Sequence, residues 1–225
     1  AENKEFFLWH TWFSDVFNRG NGKDGFDIVI GNPPYVSVKA ISDEMKKLYG
    51  SLFDTAKGRF NLFTLFLELF YKLGKQNGTM CLIIPEGIYS NIEYRYSREL
   101  LVEKCTVKKL CIFTKRVFEA SVDTTIILSV HQKPKDDNIF PIDVDVQSKA
   151  NYSSQASIKK YPYYLFPVKL TNTSKSLVEK LMLSNDYDRI GDHIEIQQGI
   201  IYSGQPKENV FSNYVKDSTY KPILD

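Results

Sequence analysis

Apolar positions along the chain fall into two patterns. Short runs bounded by Gly and Pro read as strands: residues 26–30 between Gly25 and Gly31, 79–85 closed by Pro85 and Gly87, then 107–113 and 124–130. The first of these, Phe26-Asp27-Ile28-Val29-Ile30, is apolar and β-branched and predicts a strand buried on both faces. Residues 60–73 instead space Leu62, Phe63, Leu65, Phe66, Leu69, Phe70 and Leu73 as one broad helical face, stopped by Gly74 and Gly78. Strand, helix and strand in that order form a βαβ unit, so the first two strands are expected to be parallel. A helix over residues 97–103 leads to the third strand. The link 114–123 is short enough for a hairpin, which predicts an antiparallel fourth strand at the sheet edge.

The flanking segments are less regular. Residues 6–17 carry the cluster Phe6, Phe7, Trp9, Trp12, Phe13, Val16 and Phe17, expected to pack over the sheet edge. Residues 18–25 read as a loop, and residues 42–49 as a helix capped by Ser42 or Asp43, placed to act as a lid. After Gln132 the pattern changes: 133–138 is charged, 140–146 alternates like a strand, and 147–157 is rich in Ser, Asn and Gln. That change marks a boundary. The expected division is residues 1–134 as one domain part, 135–165 as a linker, and 166–225 as the start of another domain. The basic-aromatic stretch 159–166 suits the linker. A helix over 174–183 and short strands with turns at Gly191, Gly199 and Gly204 suit the second domain.

The first strand ends in Asn32-Pro33-Pro34-Tyr35, four residue types that folding alone does not require together. Each proline fixes its own φ and pushes the preceding residue out of the helical region, so a rigid rim leaves the strand end. In open α/β sheets ligands bind beyond the carboxyl ends of strands. The Asn32 amide oxygen and the Pro33 carbonyl are two adjacent acceptors. They suit an exocyclic amine on an aromatic ring, whose lone pair is freed when its N–H groups are held, while Tyr35 offers a flat face for the ring. The competing reading is an ordinary turn.

Composition changes this picture little. The chain has 225 residues, 43% hydrophobic and 25% charged, with net charge +2, which permits nucleic-acid binding without arguing for it. Aromatics reach 14%, which suits dense cores or base stacking. Cys81, Cys105 and Cys111 are odd in number and lack a C-x-x-C spacing, so free thiols in a reducing, cytoplasmic setting are expected. His10, His131 and His193 are scattered and suggest no metal site. No segment approaches the roughly 18 apolar residues of a membrane span.

Taken together, the ordered segments resemble the gamma-class N6-adenine DNA methyltransferases of restriction-modification systems. Residues 26–35 resemble the catalytic motif, 60–73 the helix after it, 79–85 the next strand, and 97–113 the succeeding helix and strand. Val117-Phe118-Glu119-Ala120-Ser121-Val122 with Thr124 looks like the second base-binding motif, and Gly199 to Gly204 with Phe211 like the opening of a recognition domain. The resemblance implies the second half of a Rossmann-like methyltransferase sheet, parallel strands with an antiparallel edge strand, followed by the beginning of a small α+β recognition domain. It implies transfer of a methyl group from S-adenosyl-L-methionine to an adenine flipped out of double-stranded DNA. In that scheme Asn32, Pro33, Pro34 and Tyr35 form the catalytic motif, Tyr35 and Phe118 stack on the base, and Lys115, Arg116, Gly199 and Gly204 meet DNA.

The family's Gly-rich cofactor loop has no counterpart in the 25 residues before Phe26, and the chain starts at Ala1 in mid-pattern. The expectation is a portion of a longer polypeptide whose N-terminal half holds the cofactor, with no membrane partner. A combined restriction-modification enzyme fits the same pattern. Two alternatives use the same rim: an enzyme methylating a protein glutamine or an RNA amine, and a non-catalytic DNA-binding or assembly module.

Overall fold

Two short helices, α1 (Trp9–Trp12) and α2 (Ser14–Phe17), open the described chain. They precede a single six-stranded mixed sheet in a computed structural model that describes residues 7–115, 122–145 and 148–184. The chain divides into two compact units, Ala1–Leu183 and Ser184–Asp225, and the sheet belongs to the first. Trp9, Phe13 and Phe17 set their rings edge-on to Phe26 at 6.1, 5.2 and 5.4 Å, so the aromatic cluster packs on the first strand as expected.

Strand β1 (Phe26–Gly31) is followed by α3 (Asp43–Leu52), α4 (Leu62–Leu73) and β2 (Gly74–Pro85), which pairs with β1 in parallel. The βαβ unit is therefore present. Ser42 caps α3 by accepting from the Met45 N–H at 3.3 Å, and Asn61 caps α4 by accepting from the Phe63 N–H at 3.4 Å. Entry into β1 requires glycine: Gly25 has φ +107°, and a Cβ there would lie 2.6 Å from the Lys75 nitrogen. The expectation of burial on both faces fails for β1. It borders the sheet, and Ile28 and Ile30 are 67% and 75% exposed.

Helix α5 (Arg95–Lys104) leads to β3 (Thr106–Ile112), and β4 (Thr124–Val130) comes next. Strand β4 is antiparallel as expected, but it is not at the edge. It lies between β2 and β3 and pairs with both. Insertion there bonds both of its edges and leaves no unpaired row, the more stable outcome for a strand this apolar.

The segment expected as a linker also carries parts of the sheet. β5 (Ile139–Val144) pairs in parallel with β3, and β6 (Ser148–Ser154) runs antiparallel to β5. The polar composition of residues 147–157 disguised a border strand, which has little to bury. After it, α6 (Gln155–Ile158) brings in Gln155, 1% exposed, whose Nε2 donates to the Cys105 and Val102 carbonyls at 2.8 and 3.1 Å, at the end of α5. Its Oε1 accepts from the Val107 N–H at 2.9 Å. Residues 166–170, expected to open a new domain, contribute Phe166 and Val168 to the core of the first unit. Helix α7 (Asn172–Leu183) ends that unit.

The core lies on one side of the sheet. Phe63 and Leu67 of α4 and Leu100 and Leu101 of α5 pack with Leu82, Ile84, Leu110, Ile127 and Ile142 from the strands. None of the three cysteines is joined in a disulfide, and burial pushes the Cys105 thiol up to about 12.

Candidate active-site rim

Asn32, Pro33, Pro34 and Tyr35 leave the carboxyl end of β1 beside the end of β2, where Gly31 pairs with Leu82. Gly31 is packed so closely that a Cβ would stand 3.0 Å from Phe70 Cε2. Beyond it Asn32 and Pro34 are exposed, Pro33 is buried and Tyr35 is half-buried. The Tyr35 hydroxyl is within donating distance of two acceptors, Asn32 Oδ1 at 2.8 Å and the Ile83 carbonyl of β2 at 3.0 Å. The rim is thereby tied to the neighbouring strand. Burial raises the Tyr35 pKa above its usual value, so the hydroxyl is a proton donor at neutral pH. Its ring stands edge-on to Phe63 at 6.4 Å.

This arrangement orients an amide. An amide oxygen has two lone pairs, so a bond from Tyr35 leaves Asn32 Oδ1 with one acceptor direction open to solvent. Because Asn32 is exposed while Pro33 is anchored, the acceptor is both accessible and held.

The helix expected as a lid is fastened at both ends. Ahead of it, the Leu62 N–H donates to the Val36 carbonyl at 2.9 Å and the Val38 N–H to the Phe60 carbonyl at 3.1 Å. Behind it, the buried Glu68 carboxylate of α4 accepts from the Asp54 and Thr55 N–H groups at 3.1 and 2.9 Å and from the Thr55 hydroxyl at 2.8 Å. Lys72 completes the set at 2.7 Å. Burial alone raises the Glu68 pKa, but the bonds from Lys72, Thr55 and Asp54 outweigh it and leave the carboxyl below the usual range. Val38, Phe60 and Leu65 form a small core of their own under α3 with Ile41, Tyr49 and Phe53. Thus α3 is a fixed wall beside the rim.

Sequence reasoning passed over a second turn at the same end of the sheet. Residues 86–94 come after β2 as two 3-10 turns, Glu86–Tyr89 and Ile92–Tyr94. Tyr94 stands edge-on to Phe63 at 5.0 Å, so Tyr35, Phe63 and Tyr94 form a connected ring series. The Glu93 carboxylate accepts from the Arg59 N–H at 3.2 Å. Pro85-Glu86-Gly87, ending a strand adjacent to the rim's strand, was the available signal.

Of the other expected site residues, Lys115 is exposed just beyond β3, where its charge helps lower the Asp145 pKa after the larger effect of hydrogen bonds from Thr114. Arg116, Phe118, Gly199 and Gly204 lie outside the described residues. No cluster of three or more metal-ligating side chains occurs among the described residues, and no described helix is long and apolar enough to cross a membrane.

S-adenosylmethionine makes different demands from an amine-bearing ring. A nucleoside sulfonium asks for a Gly-rich turn opening a helix and an acidic residue for its ribose. The described turns beside the rim, Asn32 to Tyr35 and Glu86 to Tyr89, offer one exposed amide, one glycine, Gly87, and one carboxylate, Glu86, which is already paired with Lys169. These residues fit an amine-bearing ring and do not by themselves fit the cofactor.

The sequence model of the Eco57I restriction-modification methylase family matches residues 1–118, just over half of the chain. A protein of Methanocaldococcus jannaschii provisionally named a type II restriction enzyme and methyltransferase is 32% identical over 130 residues, 57% of this chain and 10% of that protein. A type II methyltransferase of Thermus thermophilus is 35% identical over 69 residues, 28% of this chain and 16% of that protein. The chain therefore spans a small part of the length of the relatives it matches. Among solved structures, the methyltransferase subunit of a type I restriction-modification system from Streptococcus thermophilus aligns over 70% of this chain and 32% of its own, with 20% identity and TM-score 0.41.

Proposed function

The chain belongs to the Eco57I restriction-modification methylase family, and from that premise we propose that it is a catalytic part of a DNA methyltransferase acting on N6 of adenine. The observation that carries this reading is the exposed Asn32 amide beside the buried Pro33, oriented by the Tyr35 hydroxyl at the carboxyl end of a parallel strand. A purine amine is planar because its lone pair is delocalised into the ring. Asn32 Oδ1 and the Pro33 carbonyl accept its two N–H groups and localise the lone pair on nitrogen. Tyr35 offers one face to the base, and Phe118 the other.

Adenine N6 is out of reach inside the duplex, so the base is extruded at a cost of a few kcal/mol. Lys115 and Arg116 meet the phosphates near the extruded nucleotide, and Gly199 and Gly204 belong to the part that reads the duplex. S-adenosylmethionine supplies the methyl group and is held by residues of the longer polypeptide other than the rim. The setting is the cytoplasm, where the substrate DNA lies.

The test is methyl transfer from labelled S-adenosylmethionine by the whole polypeptide, offered long unmethylated duplex DNA, RNA and protein in separate reactions. Label is expected on adenine in DNA, with a loss of about 100-fold or more in Asn32→Ala, the scale seen when one preorganised hydrogen-bonding group is removed from an active site. Label on RNA or on a glutamine amide moves the substrate assignment. Unchanged transfer by Asn32→Ala removes the rim from the chemistry.

A further inference from the structure

Arg98 of α5 is 0% exposed, and among the described residues no carboxylate meets its guanidinium. Instead Nη1 donates to the Ile88 and Asn91 carbonyls at 2.9 and 2.7 Å, and Nε donates to the Tyr163 carbonyl at 2.9 Å. Nη2 is buried without a partner. A buried cation lacking a counterion is costly, and carbonyl dipoles are a modest substitute. Burial accordingly lowers its pKa to about 10. A staple needed only for stability is more cheaply made from apolar side chains.

What the guanidinium joins is specific. Ile88 and Asn91 belong to the turn after β2, the one linked to the rim through Tyr94 and Phe63. Tyr163 belongs to a strap, residues 161–169, that reaches the same turn in two more places. The Phe166 N–H donates to the Tyr89 carbonyl at 3.1 Å, and Lys169 pairs with Glu86 at 2.5 Å. Within the strap Tyr163 and Tyr164 both have left-handed backbones, φ 55° and 56°. Two such residues in succession are strained, and a conformation of that kind persists where its surroundings hold it.

We propose that Arg98 is a positioning residue for the amine-holding site, clamping the turn after β2 between α5 and the strap so that this turn stands at a fixed place beside the Asn32–Tyr35 rim. The inference rests on the methyltransferase reading of that rim. Arginine suits the task because its rigid planar fork holds Nε and Nη1 toward carbonyls on opposite sides at once; the three donors of a lysine ammonium rotate about a single atom and fix no such spread.

The test compares Arg98→Lys, Arg98→Ala and Lys159→Ala with the unmodified whole polypeptide in methyl transfer to long unmethylated duplex DNA. Lys159, two residues ahead of the strap, pairs with Glu103 of α5 at 2.8 Å without touching the turn, so its loss controls for general loosening. Arg98→Lys is expected to lower kcat about 10- to 100-fold, the scale of a small misplacement in an active site, with KM for DNA little changed. Lys159→Ala is expected to leave kcat unchanged. Added guanidinium ion is expected to restore part of the kcat of Arg98→Ala. A folded Arg98→Lys protein with unaltered kcat overturns the positioning role while Asn32→Ala still reports on the rim. An unmodified polypeptide that transfers no methyl group overturns both.

Discussion

The two faces of the sheet both carry apolar residues and are treated differently. On one, Leu82, Leu110, Ile127 and Ile142 are at most 2% exposed beneath α4 and α5. On the other, alternate residues of β2 and β4 are only partly covered, with Cys81, Ile83, Ile126 and Leu128 half-buried, and Ile28 and Ile30 of β1 are largely open, while Cys111 of β3 and Asp143 of β5 are buried there. Apolar sequence sets what a face can bury, and the packing elements decide what it does bury. The Asn32–Tyr35 rim stands where the two conditions meet. Of its anchors, Tyr35 packs against the covered-side core and Pro33 is buried, while Asn32 is left accessible.

The largest break in this comparison is expected on the covered face. Leu82→Ala removes a side chain that is 1% exposed and leaves a cavity among α4, α5 and β4, a loss of about 2–5 kcal/mol in urea unfolding. A loss under about 1 kcal/mol would show that the core closes around the gap.

A smaller effect belongs to the charge on that same side. Glu68→Gln keeps an acceptor for Thr55 but gives up the ion pair with Lys72, about 1–3 kcal/mol at neutral pH. The folded-state pKa of Glu68 is lowered, so its stabilisation is complete above the ordinary glutamate value near 4.3 and is lost as pH falls through the folded value. Melting temperatures measured from pH 6 downward should therefore fall less steeply in Glu68→Gln; equal slopes would remove Glu68 from the acid limb.

The smallest effect is expected on the open face. Ile30→Thr keeps a β-branched residue at a position 75% exposed and should change stability by no more than about 0.5 kcal/mol in the 225-residue chain. Urea unfolding checks it, and a cost approaching that of Leu82→Ala would mean that this face is covered.

Residue pattern alone determined much of this protein. The βαβ unit, the apolar face of α4, the Ser42 cap and the antiparallel sense of β4 all come from local rules: spacing, capping chemistry and connection length. So does the rim, because two prolines after a strand constrain the backbone whatever surrounds them. Tertiary structure decided what those rules leave free. It placed β4 inside the sheet, because bonding both edges depends on which neighbours arrive. It added β5 and β6 from a segment whose polar residues conceal their pairing, with the Gln155 side chain bonded to Val102 of α5, Cys105, Val107 of β3 and Asn138. It left one face of β1 open and gave Arg98 its carbonyls, one of them 65 residues away in the chain. Patterns within a few residues are written in the sequence; partners that distant are supplied by the fold.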